Sequence, residues 1–169
     1  IVPYCPRCGT PLSSHEVAQG YKDVKDRSVT VKMKVKGQEN TYFLVWTTTP
    51  WTLPSNVALC VNPDVKYVKI KTETENYILA EELIASNIEG EYEILESYVG
   101  SDLEMMEYEP LYSFKELDGK AYYVTCDGYV TTSDGTGIVH IAPAFGADDA
   151  LVAKKYKLPF LQLVDNRGQ

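Results

Sequence analysis

Residues 28 to 36 read SVTVKMKVK, and the alternation in that run leaves the backbone little choice. Val29, Val31, Met33 and Val35 fall on one side at period two, and Lys32, Lys34 and Lys36 on the other. Only a strand with one covered face satisfies that pattern. GQEN then marks a turn, and TYFLVWTTT resumes as a more apolar strand, so the pair is expected to form a hairpin ending at a threonine cluster. NVALCVN, YVKIKTETENYIL, EYEILESYVG and KAYYVTCDGYVTT are further strand candidates, rich in Val, Ile and Tyr and bounded by Pro, Gly, Asn or Asp. Two segments read as helical, AEELIAS near 80 to 86 and DDALVAKKY at 148 to 156. The second carries acids in its first turn and lysines in its last, as the helix dipole favours. The expected fold is β-rich α+β, a β-barrel-like curled sheet with a few peripheral helices.

A chain of 169 residues is about one domain long and can bury a core without disulfide staples. Its formal charge of −8 argues against a broad electrostatic grip on nucleic acid, which rests on Lys and Arg neutralising phosphates. Any nucleic-acid contact is therefore expected to be local. No apolar run approaches the roughly 20 residues of a membrane span, so the expectation is a soluble, cytoplasmic protein with no membrane partner. The chain opens on Ile1 and closes on DNRGQ, and reads as a piece of something longer.

Four cysteines divide into two kinds. Cys60 and Cys126 sit in apolar strand-like runs, where a reduced, buried thiol is expected. Cys5 and Cys8 stand as C-P-R-C-G, the spacing of a zinc knuckle, but a structural zinc needs four ligands and no second C-x-x-C exists here. The pair reads as half of a zinc site completed from outside the chain, with a redox pair or a plain turn as alternatives.

Familiar catalytic signatures are absent: no nucleophile elbow, no H-E-x-x-H, no phosphate-binding glycine loop. Chemistry can instead gather at two dense stretches. In WTTTPWTLPSN, residues 46 to 56, Thr47 and Thr49 face one way and Thr48 the other, and Pro50 ends the strand. Hydroxyls are thus exposed at a sheet end, as hydrogen-bonding groups and not as nucleophiles, because no base adjoins them. In GTGIVHIAPAFGADD, residues 135 to 149, Gly135 and Gly137 permit close backbone approach, and His140, Phe145, Asp148 and Asp149 surround one bend. Taken singly, His140 also reads as a satisfied core histidine and either aspartate as a helix N-cap.

Together these stretches, with the opening CPRCGTPLSSHEV, resemble the editing domain of isoleucyl-tRNA synthetase, the connective peptide 1 insertion of a class I catalytic domain. The resemblance covers nearly the whole chain. In the valyl and leucyl relatives the threonines typically run into Arg-Pro-Glu or Arg-Pro-Asp, and the His position is commonly Lys or Met. Thr49-Pro50-Trp51 and His140 match the isoleucyl pattern instead. Met105 stands where the family often has Gly, a departure assigned to a peripheral loop.

That resemblance implies double-sieve proofreading: hydrolysis of the aminoacyl ester of mischarged valyl-tRNA(Ile), with isoleucyl-tRNA(Ile) excluded by pocket size. It implies that Asp149 holds the substrate's α-ammonium, and that Thr47, Thr48 and Thr49 line the amino-acid and terminal-adenosine pocket and position water. His140, Trp51 and Phe145 would form the wall that measures side-chain size, and Asn56 would support the loop or touch the terminal adenosine. No cofactor is implied for the reaction, and a structural zinc at Cys5 and Cys8 only in the full-length enzyme. Partners would be the tRNA(Ile) 3′ end and the remainder of the synthetase, with the protein a monomer. The implied segments are 1–27 as half knuckle and lead-in, 28–164 as the editing domain, and 165–169 as the start of the return linker. The rival reading is a non-catalytic module that holds the tRNA 3′ end.

Overall fold

The structure, a computed structural model, describes residues 2–25 and 27–165; residues 166–169, most of the expected return linker, lie outside the described residues. The knuckle is a two-stranded antiparallel ribbon, β1 (Tyr4–Cys5) with β2 (Thr10–Pro11). A short helix follows, α1 (Ser14–Ala18). Its start is a capping box: the Ser13 hydroxyl accepts from the Glu16 amide, and the Glu16 carboxylate accepts from the Ser13 amide. The lead-in is therefore partly helical, and S-x-x-E at 13 to 16 is the signal for it.

β3 (Val29–Lys34) and β4 (Thr41–Thr47) form the expected antiparallel hairpin. β5 (Ala58–Val61), β6 (Lys66–Lys71), β7 (Asn76–Ala80), β8 (Glu93–Val99), β9 (Val124–Cys126) and β10 (Ile138–Ile141) complete an eight-stranded sheet in the order β8-β6-β7-β4-β10-β5-β9, with β3 paired to β4. α2 (Ile84–Asn87) is preceded by a 3-10 turn at Glu81–Leu83, and α3 is Ala147–Tyr156. Both helical expectations stand where they were placed.

Residues 105 to 109 close the sheet on itself. Met105 and Tyr108 donate amide hydrogens to the carbonyls of Val124 and Tyr122, while Lys36 donates to Glu107 and Glu109 to Lys34, all at 2.9 Å. Hydrogen bonding therefore runs from β3 through β4, β10, β5 and β9 back to β3, a small barrel with β7, β6 and β8 as a wing. Met105 takes a left-handed backbone, φ 68°, which is why a glycine would be at home there. The expectation of a peripheral loop is corrected: Met105 starts the barrel's closing segment.

Parity along β4 divides the apolar mass. Phe43 and Val45 face the barrel interior with Met33, Leu59, Val61 and Ile138, while Leu44 faces the wing with Val68, Ile70 and Leu79. A third cluster seats α3 on the outside of the barrel through Val152, against Ala58, Cys60 and Ile141. Thr47 continues the inward row of β4 to its end and is itself buried. The site is built there, at the barrel mouth.

Candidate active site

β4 and β10 run parallel, with Val139 paired to Trp46. Because the two strands point the same way, their C-terminal ends deliver Thr47 and His140 to the same end of the barrel. Two glycines just before β10 allow close packing, Gly135 against β4 and Gly137 against β7. A Cβ at Gly135 would lie 2.6 Å from the Trp46 ring, one at Gly137 would lie 2.6 Å from the Ala80 methyl, and both residues have positive φ.

Past Thr47 the chain winds into a 3-10 helix, Pro50–Ser55, with Pro50 at its first turn. This winding turns Thr52 inward, where it is buried, and leaves Trp51 outside at 67% exposure. The hydroxyls then line up: Thr47 Oγ1 accepts from the Thr49 amide at 3.1 Å and lies 3.5 Å from Thr49 Oγ1, which is 3.4 Å from Thr52 Oγ1. Thr52 Oγ1 lies 3.0 Å from His140 Nε2.

On the far side, β10 ends in a loop that leads into α3. Gly146 is the helix N-cap, with no side-chain capping bond, so neither aspartate caps the helix. Asp149 instead folds back, and its Oδ2 accepts the Ala142 amide at 2.8 Å. Burial raises its carboxyl above the ordinary carboxylate value, opposed by the Ala142 amide and reinforced by the charge of Asp148. His140 is moved the other way for the same reason: burial pushes its imidazole down to about 4. At neutral pH the ring is uncharged.

These segments enclose an open cavity of about 360 Å³ lined by Trp46, Thr47, Thr48, Thr49, Trp51, Thr52, Val139, His140, Phe145, Gly146 and Asp149. The residues to which the resemblance gives a part in the editing pocket meet here with one exception, while Asp148 stays outside, exposed on the first turn of α3. Asn56 lies outside the cavity, buried, with Nδ2 donating to the Ala58 carbonyl and Oδ1 accepting from the Tyr108 hydroxyl at 2.5 Å. Its two amide groups are spent on the barrel, so the expected adenosine contact gives way to loop support. Trp46, Thr52, Val139 and Gly146 were not anticipated. For Thr52 a signal existed, since a proline-started turn after Thr49 brings the residue three positions on back toward the strand end.

Trp46 and Val139 also wall a second cavity of about 250 Å³, whose other sides include Tyr129, Thr131, Ser133 and Asp134. The hydroxyl of Tyr129 is itself buried without a hydrogen-bond partner. A polar group in that state is costly unless something supplies a partner.

Cys5 and Cys8 are apart from all this. The Cys8 amide donates to Cys5 Sγ at 3.2 Å and the Gly9 amide to the Cys5 carbonyl at 2.8 Å, a turn that points an amide hydrogen at a sulfur. The Cys8 side chain and amide hold the Cys5 thiol below its ordinary range. Such a turn suits a metal-bound thiolate, but among the described residues no three His, Cys, Asp or Glu side chains are grouped to hold a metal. Among the described residues, no helix is long and apolar enough to cross a membrane.

Solved structures share this architecture at low sequence identity. The editing domain of the P. knowlesi cytosolic leucyl-tRNA synthetase superposes with a TM-score of 0.64 at 16% identity, covering 82% of this chain and 65% of that one. The GlLeuRS-CP1 crystal structure superposes with a TM-score of 0.62 at 19% identity, covering 78% and 65%. The fold is that of the connective peptide 1 editing domains of class I aminoacyl-tRNA synthetases. No family model matches the chain. Curated relatives narrow the class: the chain is 59% identical to the isoleucine–tRNA ligase of Clostridium acetobutylicum, 56% to that of Clostridium novyi and 52% to that of Picrophilus torridus, each over 169 residues. In each case all of the chain is covered but only 16% of the relative. The chain belongs to the isoleucyl-tRNA synthetase family, as the segment that forms its editing domain.

Proposed function

We propose that this domain hydrolyses the ester of valyl-tRNA(Ile) and spares isoleucyl-tRNA(Ile). The observation that carries the reading is the convergence of Thr47 to Thr49, His140 and Asp149 on one cavity from separate segments of the chain. The isoleucyl enzyme is itself the standard illustration of why such a site is needed: a binding pocket separates isoleucine from valine only about 150-fold, and a second site must hydrolyse what is small enough to enter it.

The chemistry divides among the residues. Asp149, already fixed by the Ala142 amide, takes the substrate's α-ammonium in a charge-assisted contact. The threonine hydroxyls and backbone orient the ester and a water. That water's oxygen attacks the ester carbonyl carbon, the bond to the ribose oxygen breaks, and that oxygen receives a proton, releasing valine and free tRNA. A ring with a pKa near 4 is a weak base at neutral pH, so His140 serves as a neutral, polar wall, and rate comes from positioning and from the neighbouring ribose hydroxyl. Trp51 and Phe145 stand at the mouth and complete the size gauge. The terminal adenosine lies against the same threonine-lined strand end. The knuckle supplies half of a structural zinc site, Cys5 and Cys8, completed by the rest of the synthetase.

The test is deacylation of purified valyl-tRNA(Ile) and isoleucyl-tRNA(Ile) by the intact synthetase carrying this domain. Selective loss of the valyl ester supports the reading. Equal cleavage of both esters removes the size gauge, and binding of the tRNA end without turnover makes the domain a non-catalytic module.

A further inference from the structure

Thr52 makes two contacts that together decide where the proton of His140 sits. A threonine hydroxyl has one hydrogen. Thr52 Oγ1 donates it to the Thr49 carbonyl at 2.8 Å, the back-bond that the 3-10 turn puts in reach. The same oxygen is 3.0 Å from His140 Nε2, and with its hydrogen spent it can only accept. The hydrogen of that bond therefore comes from Nε2.

The other end of the ring leads to the same assignment. His140 Nδ1 is buried and has no hydrogen-bond partner. A hydrogen on Nδ1 would be an orphaned buried donor, whereas a lone pair there is an orphaned acceptor, and native structures tolerate the second more readily than the first. A doubly protonated ring would carry an unpaired buried N–H and a charge as well, and burial disfavours that form.

We propose that Thr52 is a positioning residue that holds His140 in the Nε2–H tautomer and so leaves the cavity wall a neutral ring with an unprotonated Nδ1. The hydroxyl row running from Thr47 through Thr49 to Thr52 ends on this ring, so the strand end and the histidine are one hydrogen-bonded unit. The effect on catalysis rests on the cavity being the hydrolytic site; the tautomer does not.

The experiment is 15N NMR of the imidazole rings in the 169-residue chain at neutral pH, for wild type, T52V and T52S. The only other histidine, His15, is exposed on α1 and serves as an internal contrast. T52V keeps the shape and removes the hydroxyl, while T52S keeps the hydroxyl. Wild type and T52S are expected to show one neutral form protonated at Nε2, and T52V a mixture or the Nδ1–H form. A wild-type ring protonated at Nδ1, or a T52V ring identical to wild type, overturns the proposal. Should T52V not fold, T52A compared with T52S decides it in the same way. In the intact synthetase, T52V should lower kcat for valyl-tRNA(Ile) deacylation about tenfold with KM little changed, and T52S should restore most of it. A changed ring in T52V with unchanged kcat removes the catalytic half of the proposal. A wild type that does not deacylate sinks the functional reading and leaves the tautomer result standing.

Discussion

Asp149 reaches back across its own loop to the Ala142 amide, Oδ2 to nitrogen 2.8 Å. The bond ties the first turn of α3 to the end of β10 and sets the carboxylate in place before any substrate arrives. Gly146 makes room for it, since a Cβ there would lie 2.7 Å from Asp149 Cγ.

Asp149→Asn keeps an acceptor for Ala142 and removes the charge. Deacylation of valyl-tRNA(Ile) should fall by about 10- to 100-fold, the value of a charge-assisted hydrogen bond, while aminoacylation by the parent enzyme is retained. Stability should move the opposite way. The folded carboxyl is raised above its unfolded value, so the native state holds the proton longer and stability falls as pH rises through that window. At neutral pH the charge is a cost, and the Asn variant should melt higher than wild type, by a margin that shrinks as the pH is lowered into the carboxylate range. A lower melting temperature at full activity would contradict both roles.

His140 gives stability the reverse pH dependence. Its folded pKa is depressed to about 4 from 6.5, so as pH falls below the unfolded value the unfolded chain binds a proton that the native state refuses. The stabilisation present above about pH 6.5 is lost down to about pH 4, roughly 2 kcal/mol of it between about pH 7 and pH 5. Urea titrations of wild type and His140→Phe at those two pH values measure it: the wild type should lose that much more than the variant.

Gly135→Ala should damage the partition between the two cavities. The position has φ 74° and its Cβ would meet the Trp46 ring at 2.6 Å, so strain and displacement of the indole together cost about 1–3 kcal/mol. Thermal melts read the stability, and deacylation, expected to fall, reads the displaced ring.

Tyr108→Phe separates support from contact at Asn56. The Tyr108 hydroxyl is bonded to Asn56 Oδ1 in the buried barrel, away from the residues that line the cavity. Its loss leaves that oxygen unpaired and should cost about 1–3 kcal/mol in urea unfolding, with deacylation kinetics close to wild type. A selective rise in KM would return Asn56 to the substrate.

Alternation at Val31, Met33 and Val35 was enough to read the β3–β4 hairpin, because period-two burial has no helical equivalent. The barrel closure was not readable: the segment from Met105 to Glu109 pairs through scattered backbone bonds, and its alternation, Met106-Glu107-Tyr108-Glu109, stops at Pro110, too short to stand out as a strand. The site separates in the same way. Thr47 to Thr49, His140 and Asp149 stood out by residue type, but that they share one cavity depends on β4 and β10 running parallel, a contact between positions 46 and 139. Thr52 was legible only through Pro50, which starts the 3-10 winding its role depends on, and Trp46 was hidden because an aromatic residue in a strand is expected to be core. Asn56 misled for the converse reason: an amide beside a polar cluster looks like a ligand contact until Tyr108 and Ala58 account for its side-chain groups.

Both tryptophans of the chain line the same cavity, Trp46 partly buried as the wall shared with the second cavity and Trp51 exposed at the mouth. Indole emission from this chain therefore arises at the site and nowhere else. A ligand that enters either cavity must change the surroundings of at least one fluorophore, so this chain carries a built-in optical reporter, and occupancy can be followed without attaching a dye.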